Sequence, residues 1–463
     1  MMQTMRRTEE AEREFPAVHA RKRLSSLQFF LRYPIFLLAF GPPQFKHAVT
    51  GDTSQAHFDI WNVIQVGWLA AIALRAIIRL GMAKTVLLPK QSRSILKYAF
   101  FLGLLFVTSV AYSPGRVVSA EYCFLYFLNL ICVLEFIVDA YRAPPNWMQC
   151  ILQLRLVAFL LFAIVLATLA VAPGFVITAK TGLRLLGGEV AGVPLVCPTI
   201  VIISAYCFLY SLESRSRSVA FMLFGVGGTL AAQTRGSEIT LLVVLTVLAT
   251  RWAKTGRRSA LIAVSWLMAS LLLAALVVIY AGGDRIWQAF NRGQDASSFA
   301  TAGGRTGLWE GQIDYCLTHP WGMGYIAGVR TFHRRDLSGD LHADINIVGG
   351  TDNAYMQVLV DAGWLALMLY LIMLGKTFGL GRRLTRHDSP ARMNSHSAAY
   401  HAIRCALLVL AFLAVEGMES PTPVLPMQQT FYFQNITLAI ILGASATMLW
   451  QRSARSFAGR WRG

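Results

Sequence analysis

Residues 351–375 read TDNAYMQVLVDAGWLALMLYLIMLG, a short polar start that runs into an almost unbroken apolar stretch. As a helix, about 20 apolar residues cover the hydrocarbon core of a bilayer. Apolar stretches of that size recur along the whole chain, so the fold class predicted is all-α, a polytopic integral membrane protein. Asp352 and Asn353 then stand where the chain enters an apolar environment. They read as a helix cap, for which such side chains are favoured, or as part of a working site.

Composition supports the membrane assignment. Of 463 residues, 55% are hydrophobic and only 14% charged, against about 25% charged in soluble domains. The net charge of +18 sits mainly in short clusters between apolar runs. No soluble basic domain carries it, which argues against a nucleic-acid partner. Six of the seven cysteines lie in or at the ends of apolar runs, leaving Cys316 without an obvious mate, so no disulfide framework is expected. The tail up to Ser26 is polar and lacks a small-residue cleavage site, so no cleavable signal peptide is expected.

Apolar runs place about twelve transmembrane helices, beginning near Leu27, Phe58, Ile95, Val117, Ile151, Val190, Ser218, Ser237, Ala260, Thr351, Tyr400 and Met427. The first is the weakest, because Arg32 and Pro34 interrupt it. The chain divides into a basic tail over 1–26, helices one to nine over 27–281, a large external loop over 282–350, helices ten to twelve over 351–450, and a second basic tail over 451–463. With both termini cytoplasmic, the clusters around Arg21, Lys90, Arg142, Arg215, Arg257 and Arg382 all fall inside. The positive-inside bias of short loops predicts that distribution.

The external loop contains GGRTGLWEGQIDYCLTHPWGMGY at 303–325. Helical spacing puts Trp309, Ile313 and Cys316 on one face and Glu310 and Asp314 on another. The expectation is an amphipathic helix lying on the outer membrane surface. Its histidines, His319, His333 and His342, lack the spacing of a metal-binding helix. No metal site and no cofactor are expected.

Three arginines break the charge rule by falling on the outer side: Arg184, Arg235 and Arg305. Arg235 occupies a polar hinge, QTRGSE, between two short apolar runs. A snorkelling side chain or a salt bridge to Glu238 would account for it, and loop pairing would account for the other two. Charge close to the membrane core also marks functional paths, and guanidinium groups bind phosphate oxygens bidentately. Together the three suggest an anionic ligand. Glu416 and Glu419 end the eleventh apolar run on the same side, and Glu416 is an acid in an apolar helix that calls for a partner or cavity.

These motifs, in order, resemble the O-antigen ligase and Wzy-type polysaccharide polymerase superfamily of bacterial inner membranes. SVAYSPGRVVS resembles the family's turn after an early span, at Tyr112, Ser113 and Pro114. TRGS is similar to its Ser-Arg-Gly element, at Arg235. The external helix matches its Gly-Arg, Trp, Pro-x-Gly-x-Gly pattern at Gly304, Arg305, Trp309, Pro320, Gly322 and Gly324. DNAYMQVLVDAG resembles the stretch after the external loop, with Asn353, Tyr355 and Gly363 in register, and MES a late Glu-Ser element at Glu419 and Ser420.

The resemblance implies glycosyl transfer on the periplasmic face of the inner membrane. An undecaprenyl-diphosphate-linked oligosaccharide would pass its glycan to a hydroxyl, without metal and with inversion of the anomeric centre. Arg184, Arg235 and Arg305 would bind the diphosphate. Asp352 is the candidate base, with His342 and Glu419 as fallbacks, and Asn353, Tyr355, Trp309, Gly322, Gly324 and Glu416 would shape the site. Ligases of this family typically have His-Asn where this chain has Asp352-Asn353, so the resemblance points to a polymerase of exopolysaccharide, capsule or O-antigen. The alternatives are a ligase acting on lipid A core or protein, and a lipid-linked sugar transporter or flippase. Membrane lipid is an expected partner, and by analogy so are a chain-length regulator and a flippase.

Overall fold

The computed structural model describes residues 24–40, 60–82, 88–175, 177–178, 184–185, 192–253, 305–326, 353–386, 397–418, 426 and 429–460. These residues are nearly all helical. Helix α1 spans Ser26–Arg32, α2 Ile60–Gly81, α3 Lys90–Ser109, α4 Arg116–Arg142, α5 Trp147–Val171 and α6 Val193–Leu209. Then come α7 (Arg215–Ala232), α8 (Arg235–Ala253), α9 (Arg305–Thr318), α10 (Ala354–Arg386), α11 (Ser397–Glu416) and α12 (Gln429–Arg460). Two short strands, β1 (Ile177–Thr178) and β2 (Arg184–Leu185), pair antiparallel.

Seven of these helices, α2 to α5 and α10 to α12, are long and apolar enough to cross a membrane. Helix α6 is apolar but shorter. The expected ninth span, beginning near Ala260, lies outside the described residues, as does most of the external loop.

The first expected span is corrected. Ser25 caps α1 through a capping box with Gln28, but the helix ends after seven residues at Tyr33, because Pro34 cannot continue it. A 3-10 turn over Pro34–Phe40 follows, with Ile35, Phe36 and Leu38 buried. This segment packs against α5 and α12. Gln149 holds it there, taking Leu24 N–H on its Oε1 at 3.1 Å and donating its amide to Leu24 O at 2.5 Å.

Packing follows side-chain size. Helices α6 and α7 lie closest because Gly225 and Gly228 face α6; a Cβ on Gly225 would sit 2.9 Å from Cys197 O. Small residues let backbones approach in this way inside a membrane bundle. The hinge between α7 and α8 is Gln233-Thr234, with Gln233 left-handed at φ 48. The two helices it joins splay apart: α7 packs on α6, while α8 packs on α6 and α11.

The end of the bundle opposite α9 is ion-paired. Arg79 donates to Glu135 at 2.7 Å and to Asp139 at 2.9 Å, joining α2 to α4. Arg155 of α5 is buried, makes a two-pronged pair with Glu213, and stacks its guanidinium 4.1 Å from the Phe221 ring. Ser218 donates to the same carboxylate at 2.7 Å. All seven cysteines are buried free thiols.

Candidate functional site

Motif segments far apart in sequence meet at the α9 end of the bundle. The core of the assembly is a break in α10. Gly363 has φ 80 and ψ −177, conformations outside the helix. The break interrupts the ladder of hydrogen bonds between residues four apart, and the turn after α9 replaces them. Trp364 N–H donates to Pro320 O at 3.1 Å, while Val360 O accepts Met323 N–H at 2.7 Å and Asp361 O accepts Gly324 N–H at 2.9 Å. Broken helix backbone at membrane depth survives only when protein re-satisfies it in this way.

The Tyr112–Ser119 turn closes the other side. Tyr112 Oη donates to Trp321 O at 2.6 Å. Ser119 Oγ donates to Tyr325 O at 2.7 Å, and Ser109 Oγ accepts Tyr325 N–H at 2.9 Å. Ser119 spends its one proton on Tyr325, so Ser113 Oγ donates to Ser119 Oγ across 2.7 Å. Tyr325 itself stacks flat on Phe106, ring centroids 3.9 Å apart. Gly324, at φ 113, lies so close to Ser113 that a Cβ would come within 2.4 Å of it. Gly322 also has positive φ. The family-like residues Tyr112, Ser113, Gly322, Gly324 and Gly363 thus interlock as one unit.

A second junction sits at the start of α10. Asn353 Oδ1 accepts Tyr355 N–H at 2.9 Å and Met356 N–H at 3.1 Å, which makes Asn353 the side-chain cap of α10. The helix therefore starts at Ala354, three residues later than expected, and the cap is Asn353. Asp352 lies outside the described residues. Ala354 N–H reaches Gly417 O at 2.6 Å and Tyr355 Oη reaches Ala414 O at 2.6 Å, tying α10 to the end of α11. Buried Glu416 accepts Ser237 Oγ at 2.8 Å, tying α11 to the first turn of α8. Arg235 opens that same turn.

The expected residues divide accordingly. Arg235 begins α8, Arg305 begins α9 with Trp309 one turn on and half-buried, and Arg184 lies in β2, whose strand packs on α7. The hydrogen bonds bring the Arg235 turn, Glu416, Asn353 and Tyr355 together, and seat the turn that carries Gly322 and Gly324 on α10 two turns further along that helix. His342 and Glu419 lie outside the described residues.

The structure decides which face of α9 is buried. On α9, Cys316 and Gln312 point inward and are fully buried, whereas Ile313 is 37% and Leu317 66% exposed. Cys316 turns inward because its thiol meets Leu359 O and its carbonyl accepts the Trp364 indole N–H at 3.1 Å. Burial, and after it the charge of Asp361, pushes the Cys316 thiol up to about 12, so it remains a protonated thiol.

Sequence reasoning passed over Asp361. It is fully buried and accepts the Gln357 amide one turn before it. An acid two residues before Gly363 inside an apolar run was a visible signal. Arg116, exposed at the start of α4 beside the serine turn, was passed over as well.

Fold and site together define a membrane-embedded helical protein with an interlocked polar site at one end of its bundle. Residues 219–371, from α7 to the middle of α10, match the family model described as O-antigen ligase, in agreement with the superfamily the motifs resemble. No curated protein matches the chain. The family is one of lipid-linked glycan ligases and polymerases acting in a membrane.

Proposed function

We propose that this protein is a membrane glycosyltransferase that polymerises undecaprenyl-diphosphate-linked oligosaccharide repeats on the periplasmic face of the bacterial inner membrane. The observation that carries the reading is the extent of the family match. It includes Arg235, Arg305, Asn353 and the Gly363 break, and hydrogen bonds gather the Arg235 turn, Asn353 and the break at one bundle end. The opposite end bears Arg75, Arg79, Arg155 and Lys376, which the positive-inside bias assigns to the cytoplasm.

In this mechanism an acceptor hydroxyl oxygen attacks the anomeric carbon as the bond from that carbon to the diphosphate oxygen breaks. Asp352 takes the hydroxyl proton, with His342 or Glu419 as the alternatives. The departing carrier diphosphate is stabilised by Arg184, Arg235 and Arg305, the last two opening helices whose N-terminal amides also favour anions. Attack opposite the leaving group inverts the anomeric centre. No metal or cofactor takes part.

The test is purified protein in liposomes with a synthetic undecaprenyl-diphosphate oligosaccharide as sole substrate. A ladder of longer lipid-linked glycans is expected. Turnover only after lipid A core or protein is added makes the enzyme a ligase. Arg235→Ala should abolish the ladder while membrane insertion persists, and Asp352→Asn should do the same.

A further inference from the structure

Below the interlocked site, α3, α4, α10 and α12 line a partly open cavity of about 30 Å³. Its lining includes Phe106, Tyr126, Asn129, Tyr370, Gln434 and Asn435. All four lining helices are candidate spans, and Asn129 and Tyr370 fall near the middle of theirs. Polar groups at that depth are costly unless paired.

Three of them are only partly paired. Asn129 is 2% exposed, and its Oδ1 accepts no hydrogen bond. Tyr370 Oη donates to Gln434 Oε1 over a long 3.3 Å. Tyr126 Oη donates to Ala99 O at 2.8 Å, which leaves its lone pairs able to accept. A single buried water takes roughly 10–15 Å³ of such a cavity and needs two to four polar partners. The space and the partners both match one or two waters.

We infer that this cavity is a hydration site inside the membrane bundle, its water donating to Asn129 Oδ1 and Tyr126 Oη and accepting from the Gln434 amide. The site ties α4 to α12 and, through Tyr370, to α10. It also underlies the candidate site directly. Phe106 forms part of the lining and stacks on Tyr325 above it. Tyr370 lies 5.9 Å, ring to ring, from Tyr355 in the first turn of α10. The hydrated cavity is therefore the floor on which the start of α10 rests, independently of the reaction performed above it.

The test uses the full chain in lipid nanodiscs. A cryo-EM map fine enough to show ordered solvent should have a peak about 2.7–3.2 Å from Asn129 Oδ1. In parallel, Asn129→Leu should lower Tm by about 2–4 °C, because it strands the Gln434 amide. Combined with Gln434→Leu, which also removes the acceptor of Tyr370, the loss should be smaller than the sum of the two single losses, since the two side chains act through one shared partner. A cavity without density overturns the inference. So does an Asn129→Leu variant of raised Tm, because a dry cavity makes Asn129 Oδ1 a stranded acceptor whose removal is stabilising.

Discussion

Replacing Gly363 by alanine puts the whole interlock to the test. An added Cβ would lie 2.0 Å from Pro320 O and 2.8 Å from Trp321 Cα, both backbone atoms that no rotamer change can move aside. The φ of 80 with ψ −177 lies in a region open essentially to glycine, and occupying it costs other residues about 1–3 kcal/mol. To clear the carbonyl, the turn must retreat by about 1 Å, which loosens the three bonds from Trp364, Met323 and Gly324. Each is worth about 0.5–1.5 kcal/mol. If all three go, the loss is on the order of 3–7 kcal/mol. A misplacement of that size also lowers turnover by roughly 10²-fold. Thermal unfolding in nanodiscs and the liposome glycan ladder read the two effects separately. Gly379→Ala in the same helix is the control, because its added Cβ meets nothing within 4 Å. A Gly363→Ala protein as stable and active as Gly379→Ala would refute the interlock.

Arg155→Ala should lower stability by about 3–5 kcal/mol by leaving Glu213 buried and unpaired, and Arg155→Met with Glu213→Leu should be milder than either single change, both read by thermal unfolding. Burial alone would raise the Glu213 carboxyl, but hydrogen bonds from Arg155 and Ser218, with the Arg155 and Arg217 charges, hold it below its ordinary value. A depressed carboxylate contributes stability above the unfolded value near pH 4.3 and loses it as pH falls through the folded value. Tm should therefore drop below about pH 4.3 in the wild type, and less steeply in Glu213→Gln. Gly225→Val should cost about 1–3 kcal/mol by overpacking against α6, whereas Gly227→Val, with open space at its Cβ, should leave Tm nearly unchanged.

Much of this was legible in one dimension. Apolar length and charge clusters located α2 to α5 and α10 to α12, because a membrane helix satisfies its own backbone and its hydrophobicity is a local property. Pro34 signalled the weakness of the first span, since a missing N–H acts within its own turn. Arg235 and the family-like Gly322, Gly324 and Gly363 were also visible as residues.

What joined them was not visible. That Gly363 exists to admit Pro320, that Tyr112 and Ser113 clamp Trp321 and Gly324, and that Ser237 brings the Arg235 turn to Glu416 all depend on hydrogen bonds between segments 40 to 210 residues apart. The inward face of α9 was left open for the same reason. Periodicity divides a helix into faces, but which face is buried was decided by Leu359 O and the Trp364 indole on another helix. The sequence by itself determined where the chain is helical and membrane-embedded, because those are local free energies. Only the tertiary structure decided how the broken α10 is healed and which polar groups share one site, because those depend on which distant backbone groups come into reach.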